Sequence, residues 1–119
     1  MNKTICLDFD GVIHSYFSGW KGVTNIPDPP TIGCRESICT LRSKGFKVVV
    51  HSTRCQTQGG RSAIKDYLAK HDIEIDEICE HKPPAILYVD DRAIQFTGDW
   101  DETLVSMDKF THWLGFDKA

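Results

Sequence analysis

The chain has 119 residues, 40% of them hydrophobic and 26% charged, with a formal net charge of -3. That length and composition suit one globular domain spanning residues 1–119 with its own core, and they exclude an intrinsically disordered chain. With no basic block, they also exclude binding that rests on general attraction to a nucleic-acid backbone, although a nucleotide or a nucleic-acid end stays open as a substrate.

No apolar run is long enough to span a bilayer, so no membrane partner is expected. Asp8 and Asp10 interrupt any leader-like stretch near the start, and a cytoplasmic location is the expectation. The five cysteines, Cys6, Cys34, Cys39, Cys55 and Cys79, form no Cys-x-x-Cys pair and are odd in number. They read as free thiols rather than as a disulfide framework or a zinc knuckle. Cys6 and Cys34 read as small core residues, and Cys55 as the one thiol with a chance of reactivity.

Taken in order, the chain begins with Ile5-Cys6-Leu7, a short buried-strand pattern that stops at Asp8 and Asp10 and then Gly11. Side chains two apart on a strand share a face, so the two carboxylates converge just beyond its end. Their mutual repulsion calls for a cation, and a hard one such as Mg²⁺ takes oxygen ligands. Residues 14–30 follow, an irregular stretch rich in Gly and Pro that carries Tyr16, Phe17 and Trp20. A loop of that length in a compact domain is often functional, and this one is expected to lie over the carboxyl ends of the strands.

Residues 31–44 read as a helix with Cys34, Ile38 and Leu41 on its buried face and Gly45 just past its end. Residues 46–50 read as a buried strand that runs into His51-Ser52-Thr53-Arg54, and residues 61–71 as a second helix. Residues 73–78 form a weaker strand pattern interrupted by acids. Residues 85–89 form a clear buried strand ending in Asp90-Asp91-Arg92. A short helix or turn is expected over 93–100, a last strand over 103–107, and a terminal helix over 109–115 holding Trp113 against the domain. Strands alternating with helices imply an α/β domain, Rossmann-like and three-layered, with a mainly parallel sheet of about five strands. The polar clusters Asp8/Asp10, Ser52/Thr53 and Asp90/Asp91 each follow a buried strand, where such sheets bind ligands.

Asp8-Phe9-Asp10-Gly11-Val12 resembles the first motif of the haloacid dehalogenase (HAD) superfamily of phosphohydrolases. Ser52 after the second strand, Lys82 upstream of the next clear strand and the pair Asp90-Asp91 closing it resemble the other three motifs, in the same order. The resemblance covers residues 3–92 and implies a HAD-like fold with a short flap and no full cap domain. It also implies a Mg²⁺-dependent phosphatase in which Asp8 attacks phosphorus and forms an aspartyl-phosphate. Asp10 would then be the general acid and base, Ser52 a donor to a phosphoryl oxygen, and Lys82 a balance for negative charge. Mg²⁺ would be held by the Asp8 carboxylate, the Asp10 carbonyl and Asp91, with Asp90 orienting a ligand or a metal-bound water.

Competing readings exist for most of these residues. Ser52 and Thr53 could cap a turn, Lys82 could be a solvated loop lysine, and Asp90-Asp91 could open a helix. Arg54 could reach the substrate phosphate or pair with a nearby acid. His14, His51 and His81 sit near the same strand ends but on separate segments, without the spacing of a histidine-ligated metal. A catalytically silent HAD-like binding module would often have lost Asp8 or Asp10, and a phosphoacceptor receiver domain places its acceptor Asp after the third strand. A capless site is open to a bulky phosphoester, or it could be closed by a partner or an oligomer. Tyr16 and Trp20 offer flat faces on which a base or sugar could stack.

Overall fold

The alternating apolar residues of the first strand bury on both sides, and the fold grows outward from it. β1 (Thr4–Leu7) pairs in parallel with β2 (Lys47–His51) on one side and with β4 (Leu87–Val89) on the other. β3 (Glu77–Cys79) pairs in parallel with β2, which makes the sheet order β3-β2-β1-β4. Residues 85–89, expected as a buried strand, thus form the edge strand β4, whose three side chains are exposed because it has a neighbour on one side only among the described residues. The computed structural model describes residues 2–113, with side chains to 110.

Two helices cover one face of the sheet. α1 (Cys34–Ser43) buries Ile38, and α2 (Gln58–Lys70) buries Ile64, Tyr67 and Leu68. They pack with Ile5, Leu7, Val48 and Val50 into one core that also takes in Phe9 and Ile13. Each such large apolar side chain contributes about 1.5–3 kcal/mol when fully buried. On the opposite face Cys6, Val49 and Cys79 bury with Ala85, which belongs to the segment crossing from β3 to β4.

The helix boundaries follow local hydrogen bonding. The Thr31 hydroxyl donates to the Val12 carbonyl at 2.6 Å, and Gly33 sits at φ 82°, so α1 begins at Cys34 and not at residue 31. The Thr57 hydroxyl accepts from the Gly60 amide at 3.0 Å, an N-cap that starts α2 ahead of residue 61. Residues 14–30 hold turns and single bridges only, so the insertion is a flap.

The end of the chain differs from the sequence expectation. Residues 103–107, expected as a fifth strand, lie within α3 (Trp100–Trp113), so the sheet has four strands among the described residues. The short helix or turn expected over 93–100 is loop up to Asp99, whose Oδ1 accepts from the amides of Asp101 and Glu102 at 2.9 and 3.1 Å. That cap nucleates one long helix where a strand followed by a short helix had been expected over 103–115. The docking of Trp113 and the helix end at residue 115 lie outside the residues whose side chains are described. Among the described residues no helix is long and apolar enough to cross a membrane.

Candidate active site

β1 and β4 lie side by side, yet the chain leaves β1 toward β2 and reaches β4 only by crossing back from β3. A parallel sheet leaves a crevice outside the strand ends at such a switch point. Here it is a cavity of about 340 Å³ whose wall includes Asp8, Asp10, Ser52, Thr53, Lys82 and Asp90. His51, Tyr88 and Arg92 also line it. From sequence His51 was weighed only as a metal ligand, and Tyr88 and Arg92 not as site residues, although each stands at or beside a strand end already marked by one.

Carboxylate oxygens of Asp8, Asp90 and Asp91 lie within 4.8 Å of one another. The Asp8 amide continues the ladder to Val89 at 2.9 Å, which holds the ends of β1 and β4 in register. Burial pushes the Asp8 carboxyl up to about 7, and the charges of Asp90, Asp91 and Asp10 add to the shift, while the Phe9 amide works against it. Burial, followed by the charge of Asp90, raises Asp91 as well. Asp8 and Asp91 resist ionising, and with Asp90 they form an oxygen-only donor set of the kind that suits Mg²⁺.

Ser52 is buried, and its Oγ accepts from the Arg54 amide at 3.2 Å, capping the 3₁₀ turn Thr53–Gln56. Its hydroxyl proton stays free to point into the cavity, so the cap and a phosphate contact are compatible. Thr53 is exposed on the same wall. Lys82 Nζ lies 4.5 Å from the centre of the Tyr88 ring, and the Tyr88 hydroxyl donates to the Pro83 carbonyl at 2.7 Å. These contacts hold the lysine beside the cavity. Burial lowers His51, with Lys82 and His81 adding to the effect, so its ring stays neutral there. Cys55 is fully buried and its thiol is pushed up by that burial, which leaves it protonated and inert.

Of the two roles open to Arg54, the structure shows the acid pair. Arg54 is 1% exposed, and its guanidinium grips Asp10 at both oxygens, Nε to Oδ2 at 2.9 Å and Nη2 to Oδ1 at 3.1 Å. Nη1 donates to the flap carbonyls of Gly22 and Val23, both at 2.8 Å. The flap therefore does lie at the carboxyl ends of the strands, tied down through Arg54. Trp20 covers that guanidinium, with its ring centre 4.6 Å from Cζ, and Tyr16 sits edge-on to His14 at 5.8 Å. Neither aromatic lines the cavity. Trp20→Ala should accordingly cost about 0.5–1 kcal/mol of stability, the worth of a half-exposed cation–π contact, read as a shift in the urea midpoint. An unchanged midpoint would show that Arg54 does not need the indole.

His14 is the polar residue that the sequence reading left without a role. It is fully buried and donates from Nδ1 to Asp10 Oδ1 at 2.8 Å. The signal was its spacing, four residues after Asp10, but nothing in that spacing announces a turn that folds back.

The chain matches no protein-family profile and no curated protein sequence. It does resemble solved structures. A conserved protein from Bacteroides thetaiotaomicron superimposes with a TM-score of 0.58 at 22% identity, covering 92% of each chain. A Vibrio cholerae protein gives 0.53 at 22% identity over 90% of this chain and 98% of that one. A chain of the Pnkp1/Rnl/Hen1 complex gives 0.56 at 17% identity, over 87% of this chain and a third (33%) of that longer one. At these identities the likeness is one of fold alone: a small Rossmann-like α/β domain with a parallel sheet.

Proposed function

We propose that the protein is a Mg²⁺-dependent phosphatase of the haloacid dehalogenase type that cleaves phosphomonoesters through an aspartyl-phosphate on Asp8. The observation that carries this reading is the meeting of the Asp8, Asp90 and Asp91 carboxylates at the rim of a cavity that Ser52 and Lys82 also line. The four motifs come from strand ends far apart in sequence, and a merely acidic surface turn would not collect a buried serine and a lysine around it.

In this mechanism an Asp8 oxygen attacks phosphorus, while Asp10 protonates the departing oxygen and later takes a proton from water. Ser52 and Thr53 donate to phosphoryl oxygens, and Lys82 offsets the negative charge that accumulates there. Asp8, Asp90, Asp91 and the Asp10 carbonyl would hold Mg²⁺. Bound there, the ion supplies charge neutralisation for the carboxylates and the phosphoryl group. Without a cap domain the site admits a bulky ester, so a nucleotide or a phosphorylated nucleic-acid end is the favoured substrate, and a second copy or a partner could close the opening. A screen with Mg²⁺ across nucleotides, sugar phosphates, phosphopeptides and end-phosphorylated oligonucleotides tests the reading. Inactivity on all of them at high enzyme concentration would sink it.

The raised Asp8 carboxyl makes a separate prediction about cation binding. Without metal, the folded state keeps a proton on Asp8 up to about pH 7, whereas the unfolded chain loses it near its ordinary value of 3.8. The folded state thus binds the extra proton between those values, and Asp8 takes away stability as pH rises through that window. A divalent cation favours the ionised form and offsets the loss. The gain in melting temperature on adding Mg²⁺ should therefore be larger at pH 8 than at pH 5.5. Equal gains at both would mean that the cation does not meet Asp8.

A further inference from the structure

We propose that His14 is a positioning residue for Asp10, filling one carboxylate oxygen so that the other is the one that exchanges a proton with the leaving group. This rests on the phosphatase reading above and adds to it the choice of the reacting atom.

The buried ring is held on every side. Its Nε2 accepts from the Asp28 amide at 3.1 Å. A backbone amide can only donate, and it is nearer Nε2 than Asp28 Oδ2, which lies 3.5 Å away and already accepts from the Ser18 amide, so Nε2 is bare and the ring proton sits on Nδ1, where it donates to Asp10 Oδ1. Asp28 is itself fixed, since Tyr67 donates its hydroxyl to the Asp28 carbonyl at 2.9 Å and Ser18 donates to the Asp28 carboxylate at 2.6 and 2.7 Å. The ring lies against Phe9 with centres 5.7 Å apart and takes the edge of Tyr67 at 5.6 Å. A buried imidazole with both nitrogens bonded in this way is committed to one tautomer and one orientation.

The consequence falls on Asp10. Oδ1 accepts from both His14 Nδ1 and Arg54 Nη2, which uses its two lone pairs. Oδ2 accepts only from Arg54 Nε and keeps one lone pair. Oδ2 is therefore the oxygen open to exchange a proton. As the Asp8 oxygen bonds to phosphorus and the ester P–O bond breaks, the electron pair stays on the departing oxygen, which takes the Oδ2 proton. In the second half Oδ2 takes a proton from the water whose oxygen bonds to phosphorus, and the bond from phosphorus to Asp8 breaks to restore the carboxylate. Removing the His14 donor would free Oδ1 and let the carboxyl turn or hold its proton on the wrong oxygen.

Two variants separate this role from packing. His14→Asn keeps an amide N–H near the place of Nδ1, whereas His14→Gln sets its amide near the place of Nε2 and leaves Oδ1 without that donor. A p-nitrophenyl ester leaves readily without a proton, and a glycerol phosphate does not. His14→Gln should lose kcat/KM on glycerol phosphate by about tenfold or more and far less on p-nitrophenyl phosphate. His14→Asn should recover most of the glycerol phosphate loss. An equal loss on both esters overturns the positioning role while leaving the phosphatase reading intact. A wild-type protein that with Mg²⁺ cleaves neither ester nor any nucleotide, sugar phosphate, phosphopeptide or end-phosphorylated oligonucleotide overturns both. A long-range ¹H–¹⁵N spectrum of the wild-type ring checks the tautomer without any turnover: protonated Nδ1 and bare Nε2 are expected, and a protonated Nε2 overturns the role.

Discussion

Asp8→Asn should abolish hydrolysis of every phosphomonoester that the wild type cleaves, by about 10⁴-fold or more. The amide is nearly isosteric with the carboxylate but is a poor nucleophile, and it forms no acyl phosphate that water could clear. The fold should survive, and the metal-free protein should be at least as stable as wild type at pH 8. The reason is electrostatic: burial and three neighbouring acids push the Asp8 carboxyl up to about 7, so its ionised form is a cost that an uncharged amide does not carry. Steady-state assays at matched purity, with urea melts at pH 8, read both halves. Retained activity in the variant would remove covalent catalysis from the account.

Gly11→Ala should lower kcat/KM by about 10²-fold through a different route. Gly11 has φ 86°, and a Cβ built on it would overlap the Asp91 carboxylate. The left-handed backbone alone costs a non-glycine residue about 1–2 kcal/mol. The overlap adds a displacement of Asp91 away from Asp8 and Asp90, which should weaken Mg²⁺ binding in a calorimetric titration. Gly33 supplies the control, since it has a similar φ of 82° and a Cβ there meets nothing within 4 Å. Gly33→Ala should share the stability cost and keep the Mg²⁺ affinity of wild type. If both variants bound Mg²⁺ as tightly as wild type, Asp91 would not be a ligand.

Much of the sheet was legible because its signals are local. Val48-Val49-Val50 and Ile5-Cys6-Leu7 are apolar on consecutive positions, which a strand buried on both faces requires and few surface segments show. The weak acid-interrupted stretch over 73–78 became only a three-residue edge strand, Glu77–Cys79, as its composition implied. The end of the chain was misread for an equally local reason. Thr103-Leu104-Val105 has strand-like composition, and that outweighed the capping pattern of Asp99 followed three residues later by Glu102. A cap satisfies orphan amides at the first turn, and here it decided the state of the residues that follow.

By itself the sequence determined which residues stand at strand ends, because side-chain alternation and strand length are properties of a few adjacent residues. Asp8, Ser52 and the pair Asp90-Asp91 could be placed in that way, and order along the chain then made a shared cavity the expectation. Only the tertiary structure decided what those residues touch. Arg54 and Asp10 are 44 positions apart, and nothing local distinguishes an arginine that meets a phosphate from one that closes on a carboxylate and on the carbonyls of a flap. Trp20 was read as a face for a substrate and lies instead on Arg54, because a loop without regular structure takes its conformation from whatever donors and rings lie beneath it. His14 gained its role from the same cause: its two nitrogens are specified by Asp10 and by the Asp28 amide, and the flap brings these together only after it has folded back over β1.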